Sequence, residues 1–167
     1  HEIVEAILEY FIKDESDFEQ FEKFQPPFPK LDCSDVTRTR DLLDEKGLVA
    51  PWAQGVFNSV SLYRKTENIL MDAYKNPDLY KRIMFFFGGK MLDFIQQLVD
   101  AGADIICCGG NVANGLVAGP KFFSEHVLSY EKEFTGKLQA MGAKQLYHNC
   151  GMASSLLEHY SEIGMDT

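Results

Sequence analysis

The tetrad His148-Asn149-Cys150-Gly151 carries residue types suited to metal chemistry. An imidazole nitrogen and a thiolate sulfur are both zinc ligands. Residues two apart on an extended strand point to the same side, so the spacing predicts that the side chains of His148 and Cys150 lie next to each other. They would supply two ligands, which is half of a zinc site. The alternative is that His148 makes a structural hydrogen bond and Cys150 packs as a small apolar residue.

Further candidates follow two other predicted strands. Trp52, Gln54 and Phe57 could form an apolar wall with one polar handle for a substrate, or pack as structural residues at the rim of the fold. Asn111 follows two glycines in a predicted loop, where its amide could orient a ligand or simply serve the turn. His126, His159 and Cys33 have no stronger claim to a site.

The remaining cysteines, Cys107 and Cys108, end a predicted strand and could add a thiolate, although buried cysteines are usually inert. Four cysteines are too few and too irregularly spaced for the disulfide framework of a small secreted domain. Free thiols or metal ligands are therefore expected.

Three short apolar runs are expected to form the strands that position these residues. They are Leu48-Val49-Ala50, Ile105-Ile106-Cys107-Cys108 and Gln145-Leu146-Tyr147-His148. Helical patterns over residues 120–140 and 152–163 follow the second and third runs, and this repeated strand-helix order predicts a parallel sheet. Periodicity alone does not distinguish a closed barrel from a doubly wound sheet, but no GxGxxG phosphate fingerprint supports dinucleotide binding. The candidate residues fall at the carboxyl ends of the strands, where active sites of parallel α/β folds form.

Local signals set the helix boundaries. Asn76-Pro77-Asp78 combines a capping Asn, a Pro at the first helical position and an acid near the positive helix end, and predicts a helix to about Asp100. Three junctions contain a glycine suited to the left-handed conformation that closes a helix: residues 101–104, 141–144 and 163–166. Apolar spacing and capping signals also predict helices at 2–12, around Phe18, Phe21 and Phe24, and from Ser34 to Leu43, with a loop at the prolines of 25–29.

Composition limits the function further. The chain has 167 residues, 46% of them hydrophobic, which is enough to bury a sizeable core. A net charge of −9 without clustered Lys and Arg argues against nucleic acid as a partner. No apolar run approaches the roughly 18 to 20 residues of a membrane span, and no signal peptide is recognisable, so we expect a cytoplasmic protein with no membrane partner.

From about Leu48 onward the sequence resembles the uroporphyrinogen decarboxylase superfamily, which includes methylcobamide:coenzyme M methyltransferases. The resemblance rests on five features: Ala50-Pro51-Trp52, Asn76-Pro77, the stretch 100–104, the segment 122–130 and His148-Asn149-Cys150-Gly151. It implies an α/β fold, a (β/α)8 TIM barrel that normally needs roughly 250 residues or more. The 167 residues would then be a single partial domain, the middle part of such a barrel, with a helical lead-in over 1–47 and βα units over 48–167.

In the methyltransferase branch, the motif His-x-Cys-Gly supplies two zinc ligands, and a further cysteine comes from later in the chain. The resemblance therefore implies that His148 and Cys150 are metal ligands and that the third ligand lies beyond Thr167. It implies a zinc ion that lowers the pKa of a substrate thiol for methyl transfer to or from a corrinoid. The corrinoid would be carried by a partner protein.

Two alternatives remain within the resemblance. Members of the decarboxylase branch act on a tetrapyrrole in porphyrin biosynthesis without metal, and use a Tyr shortly after the Ala-Pro-Trp motif. Phe57 occupies that position here and lacks the hydroxyl. The other alternative is a catalytically silent homologue that binds a corrinoid protein.

Overall fold

The computed structural model describes residue 7 and residues 9–167. These residues contain two strands, which are separated by helices in the sequence. The helices and strands are α1 (Glu15–Phe24), α2 (Ser34–Leu43), α3 (Val56–Ser61), α4 (Thr66–Lys75), α5 (Pro77–Asp100), β1 (Ile105–Cys108), α6 (Gly119–Phe122), α7 (Leu128–Ala140), β2 (Lys144–Tyr147) and α8 (Leu157–Ile163).

Strands β1 and β2 pair in parallel, with Ile106 opposite Gln145 and Cys108 opposite Tyr147. The predicted strand at 105–108 is confirmed, and the one predicted at 145–148 begins and ends one residue earlier. The connection between β1 and β2 runs through α6 and α7, as the repeated strand-helix pattern predicts. The fold is therefore helix-rich, with a small parallel sheet.

Extended segments flank the two strands on both sides. The predicted strand Leu48-Val49-Ala50 does not form a regular strand. Its hydrogen bonds to the β1 side come from one group, the Val49 carbonyl, which accepts from the N–H groups of Asp104 and Ile105. Pro51 has no N–H to donate, and a single parallel bridge joins Trp52 to Cys107. On the far side of β2, the N–H of Tyr147 donates to Thr167 at 2.8 Å.

Two aspartates fix the amino ends of this arrangement in the same way. Asp104 follows the glycine after α5 and accepts from the N–H of Val49 at 2.8 Å. Asp166 follows the glycine after α8 and accepts from the N–H of Gln145 at 2.9 Å. Each carboxylate thus holds the start of the preceding extended segment.

The helix boundaries agree with the local signals. The Asn76 side chain accepts from the N–H of Leu79 at the start of α5, with Pro77 in the first turn. The closing glycines Gly102, Gly142 and Gly164 have φ values of 105°, 96° and 84°, the left-handed conformation that glycine tolerates best. The helix predicted at 2–12 lies largely outside the described residues, and residues 9–12 are not helical.

The helix predicted at 120–140 is interrupted by a π-helical turn, Phe123–Val127, between α6 and α7. The wider turn includes the His126 carbonyl, which accepts a hydrogen bond from the Tyr80 hydroxyl at 2.7 Å. Tyr80 belongs to α5, so this bond links α5 to the π-helical turn.

The core lies between one face of the sheet and the helices. Ile106 and Cys108 are fully buried on that face, α7 packs against β2, and α5 packs against α7. These helices contribute Met84, Ile95, Phe134 and Leu138 to the core. A buried ion pair joins Arg64 to Asp72 through two hydrogen bonds of 2.6 and 3.0 Å. No helix within the described residues is long and apolar enough to cross a membrane.

Candidate functional site

The opposite face of the sheet, which we call the open face, carries the candidate site. Alternation along β1 and β2 places Cys107 and Leu146 on it, on the side away from the fully buried Ile106 and Cys108. Trp52 bridges to Cys107 and is 47% exposed. Among the described residues no further layer covers these side chains, so the open face is accessible.

His148 continues β2 by one residue onto the same face. Its N–H donates to the Cys108 carbonyl at 2.9 Å, which extends the parallel pairing to the strand end. Its ring lies edge-on to the Trp52 indole with centroids 5.1 Å apart. The structure thus brings together two residues that lie 96 positions apart in the sequence.

The segment that follows β1 requires glycine where it passes the end of β2. A Cβ built on Gly109 would overlap the His148 carbonyl oxygen, and one on Gly110 would overlap the Tyr147 hydroxyl. The two segments that leave β1 and β2 are therefore in direct backbone contact, and a larger residue at position 109 would force them apart.

Cys150 lies two residues beyond His148 and is exposed. Its backbone N–H donates to the Asn111 side-chain oxygen at 3.3 Å, and the next N–H, of Gly151, donates to the Asn149 side chain at 2.8 Å. Within the described part of the chain, no three His, Cys, Asp or Glu side chains are grouped closely enough to hold a metal ion. His148 and Cys150 have the nitrogen and sulfur donors that suit zinc but need ligands from elsewhere.

The two cysteines of β1 differ in position. Cys107 is half-buried on the open face, where burial raises the pKa of its thiol. Cys108 points toward the helices, and burial raises the pKa of its thiol to about 12 even though it accepts a hydrogen bond from Gln145. Cys108 therefore stays protonated at neutral pH and lies on the wrong face to join His148.

The four predicted substrate residues lie in different environments. Trp52 is on the open face, and the half-buried Gln54 side chain is within 3.5 Å of the Asn58 amide. Phe57 is fully buried in α3 and packs edge-on against Phe122, with centroids 6.2 Å apart. Asn111 turns toward the Cys150 backbone, which the sequence had not indicated.

A buried acid, Glu131 on α7, lies behind the sheet. Burial raises the pKa of its carboxyl to about 7, although the N–H groups of Val56 and Phe57 act in the opposite direction. These two N–H groups, at the start of α3, face the carboxyl without forming a regular hydrogen bond to either oxygen. No sequence pattern indicates this residue, because Glu131 stands beside the exposed charges of Lys132 and Glu133 in a helix of ordinary periodicity.

The chain is similar to known proteins. The sequence profile described as Uroporphyrinogen decarboxylase (URO-D) matches residues 6–167. The chain belongs to the URO-D family. No curated protein matches it significantly.

A solved structure similar to this URO-D family chain is a methyltransferase from Methanosarcina mazei, with a TM-score of 0.73 and 17% sequence identity. The similarity covers 80% of this chain and 39% of the other. At this identity the likeness concerns the fold. The chain thus spans well under half the length of the structure that it matches.

Proposed function

We propose that the protein carrying this sequence is a zinc-dependent, methyltransferase-like enzyme that transfers a methyl group between a corrinoid and a thiol. The observation that supports this most is the position of His148 and Cys150, a nitrogen and a sulfur donor at the carboxyl end of β2 beside an accessible face. In parallel α/β folds this edge is where substrates bind. The family and the methyltransferase-like fold agree with the proposal.

In this proposal the chain forms part of a (β/α)8 barrel, and the open face is its interior. The extended segments beside β1 and β2 leave pairing groups for further strands on both sides. A closed barrel would satisfy them and would enclose Trp52 and His148.

His148 and Cys150 would be two of the zinc ligands, with a third ligand from outside the 167 residues. When bound, zinc supplies a positive charge that lowers the pKa of a substrate thiol and keeps it as the nucleophilic thiolate. The chain's own residues would do the rest: Trp52, edge-on to the His148 ring, would border the site with an apolar edge, and Gln54, two residues further along, would add a polar side chain.

The corrinoid would reach the site on a partner protein. Three exposed apolar residues adjoin the segment that carries Cys150: Leu116, Val117 and Met152. The Gly115 N–H donates to the Met152 carbonyl at 2.7 Å, so these residues form one neighbourhood. An apolar border of this kind suits docking of a second protein.

Zinc content tests the proposal directly. The protein that carries this sequence, the Cys150→Ser variant and the His148→Ala variant would be purified identically and analysed for metal. We expect about one zinc per chain, lost in both variants, because each removes a ligand. Cys33→Ser, at the amino end of α2, is the matched control and should keep its zinc.

The second candidate is decarboxylation of a tetrapyrrole, which the family name favours. Phe57 counts against it, since this side chain lacks a hydroxyl and is fully buried. A protein without stoichiometric zinc that binds a porphyrinogen polycarboxylate would replace the methyltransferase proposal with this one. Zinc binding without turnover would instead indicate a silent homologue that binds a corrinoid protein.

A further inference from the structure

Three segments at the carboxyl ends of the extended chains are joined through asparagine side chains. They are residues 52–58, 109–115 and 148–152, which we call the strand-end segments. Asn58 is 5% exposed, and its side-chain oxygen accepts from the N–H of Val112 at 2.9 Å. This bond ties the first strand-end segment to the second.

The second and third segments are tied on both sides of the Cys150 amide. Asn111 accepts from the Cys150 N–H at 3.3 Å, across 39 residues of sequence. Asn149 accepts from the Gly151 N–H at 2.8 Å, and its amide donates to the Gly110 carbonyl at 3.3 Å. The backbone on either side of the thiol is thus held by side-chain amides.

An amide suits this position for a physical reason. It offers a donor and an acceptor without charge, so Asn149 can bond to an N–H and a carbonyl at once. The Asn149 amide also donates to the Tyr160 hydroxyl, and neither asparagine bonds to the sulfur of Cys150.

We infer that Asn111, supported by Asn149, is a positioning residue that fixes the backbone of Cys150 and thereby aims its sulfur at the metal. This inference rests on the proposed function, in which Cys150 is a zinc ligand. It gives Asn111 a different role from the substrate contact expected from the sequence. Residues that orient metal ligands affect metal affinity by roughly 10- to 100-fold in known sites.

The test uses Asn111→Ala and Asn111→Asp in the protein that carries this sequence. Alanine removes the acceptor, whereas aspartate keeps an oxygen at the same place. Hydrogen exchange at the Cys150 amide, measured by mass spectrometry, should accelerate at least about tenfold in Asn111→Ala and stay near wild type in Asn111→Asp. Zinc affinity, measured with the metal and a competing chelating dye, should fall about tenfold in Asn111→Ala.

Asn68→Ala is the control, because Asn68 is a half-buried asparagine on α4 that lies outside the three strand-end segments. It should change neither readout. Unchanged exchange in Asn111→Ala would overturn the inference, and so would faster exchange with wild-type zinc affinity. If the wild-type protein takes up no zinc, the proposed function fails, and the exchange result alone decides whether Asn111 holds the segment.

Discussion

Replacing Glu131 with glutamine should stabilise the fold at alkaline pH and flatten the pH dependence of its stability. The carboxyl is fully buried and forms no regular hydrogen bond among the described residues, and burial raises its pKa to about 7 even though the N–H groups of Val56 and Phe57 face it. The Tyr147 phenol and the Cys108 thiol are also nearby: burial is the main cause that raises the pKa of each, and the charge of Glu131 raises both further. An ionised carboxylate at this position is therefore costly.

The sign follows from proton linkage. Between the ordinary pKa of 4.5 and the folded value of about 7, the folded protein keeps the proton and the unfolded chain releases it. Stability is therefore lost as the pH rises through this window and changes no further above it. The difference of about 2.5 pKa units corresponds to about 3 kcal/mol, since one unit is 1.36 kcal/mol. Glutamine carries no charge and avoids this cost.

The assay is urea unfolding of the wild type and Glu131→Gln at pH 5 and pH 8. The wild type should lose about 2 to 3 kcal/mol between the two pH values through this group, and the variant should lose much less. Glu133→Gln, which changes an exposed carboxyl on the same helix, is the matched control and should follow the wild type. A Glu131→Gln curve parallel to the wild type across pH would refute the reasoning.

Three further variants test other parts of the fold. Gly109→Ala places a Cβ against the carbonyl oxygen of His148, so we expect a loss of roughly 3 kcal/mol in unfolding free energy and weaker zinc binding; wild-type stability would contradict the backbone contact. Asn76→Ala removes the cap of α5 and should cost about 1 kcal/mol by thermal or urea unfolding, with no effect on metal content. Asp72→Asn leaves the buried Arg64 guanidinium without its countercharge and should cost about 3 to 5 kcal/mol; a loss below 1 kcal/mol would show that the pair is unimportant.

Much of the backbone was predictable because its signals are local. The start of α5 is signalled by Asn76 and Pro77 alone. The ends of α5, α7 and α8 are each signalled by the glycine that follows, Gly102, Gly142 or Gly164. Strand β1 was predicted with its observed ends from four apolar residues. These features depend on hydrogen bonds and φ values within a few residues, which the sequence states directly.

The sequence was less informative where partners are distant. Leu48-Val49-Ala50 reads as a strand, but Pro51 interrupts its hydrogen bonding to β1, so only one bridge forms. The π-helical turn before α7 was not predicted, because ordinary helical spacing continues through it. Phe57 reads as part of a wall, but its helix turns the ring into the core.

The sequence by itself determined that His148 and Cys150 lie at the carboxyl end of a strand, and the pattern around them indicates the family. Only the tertiary structure placed Trp52 against His148, turned Asn111 toward the Cys150 amide and buried Glu131 against the start of α3. The reason is that parallel pairing joins residues tens of positions apart, and which side chains then meet depends on strand register and helix orientation.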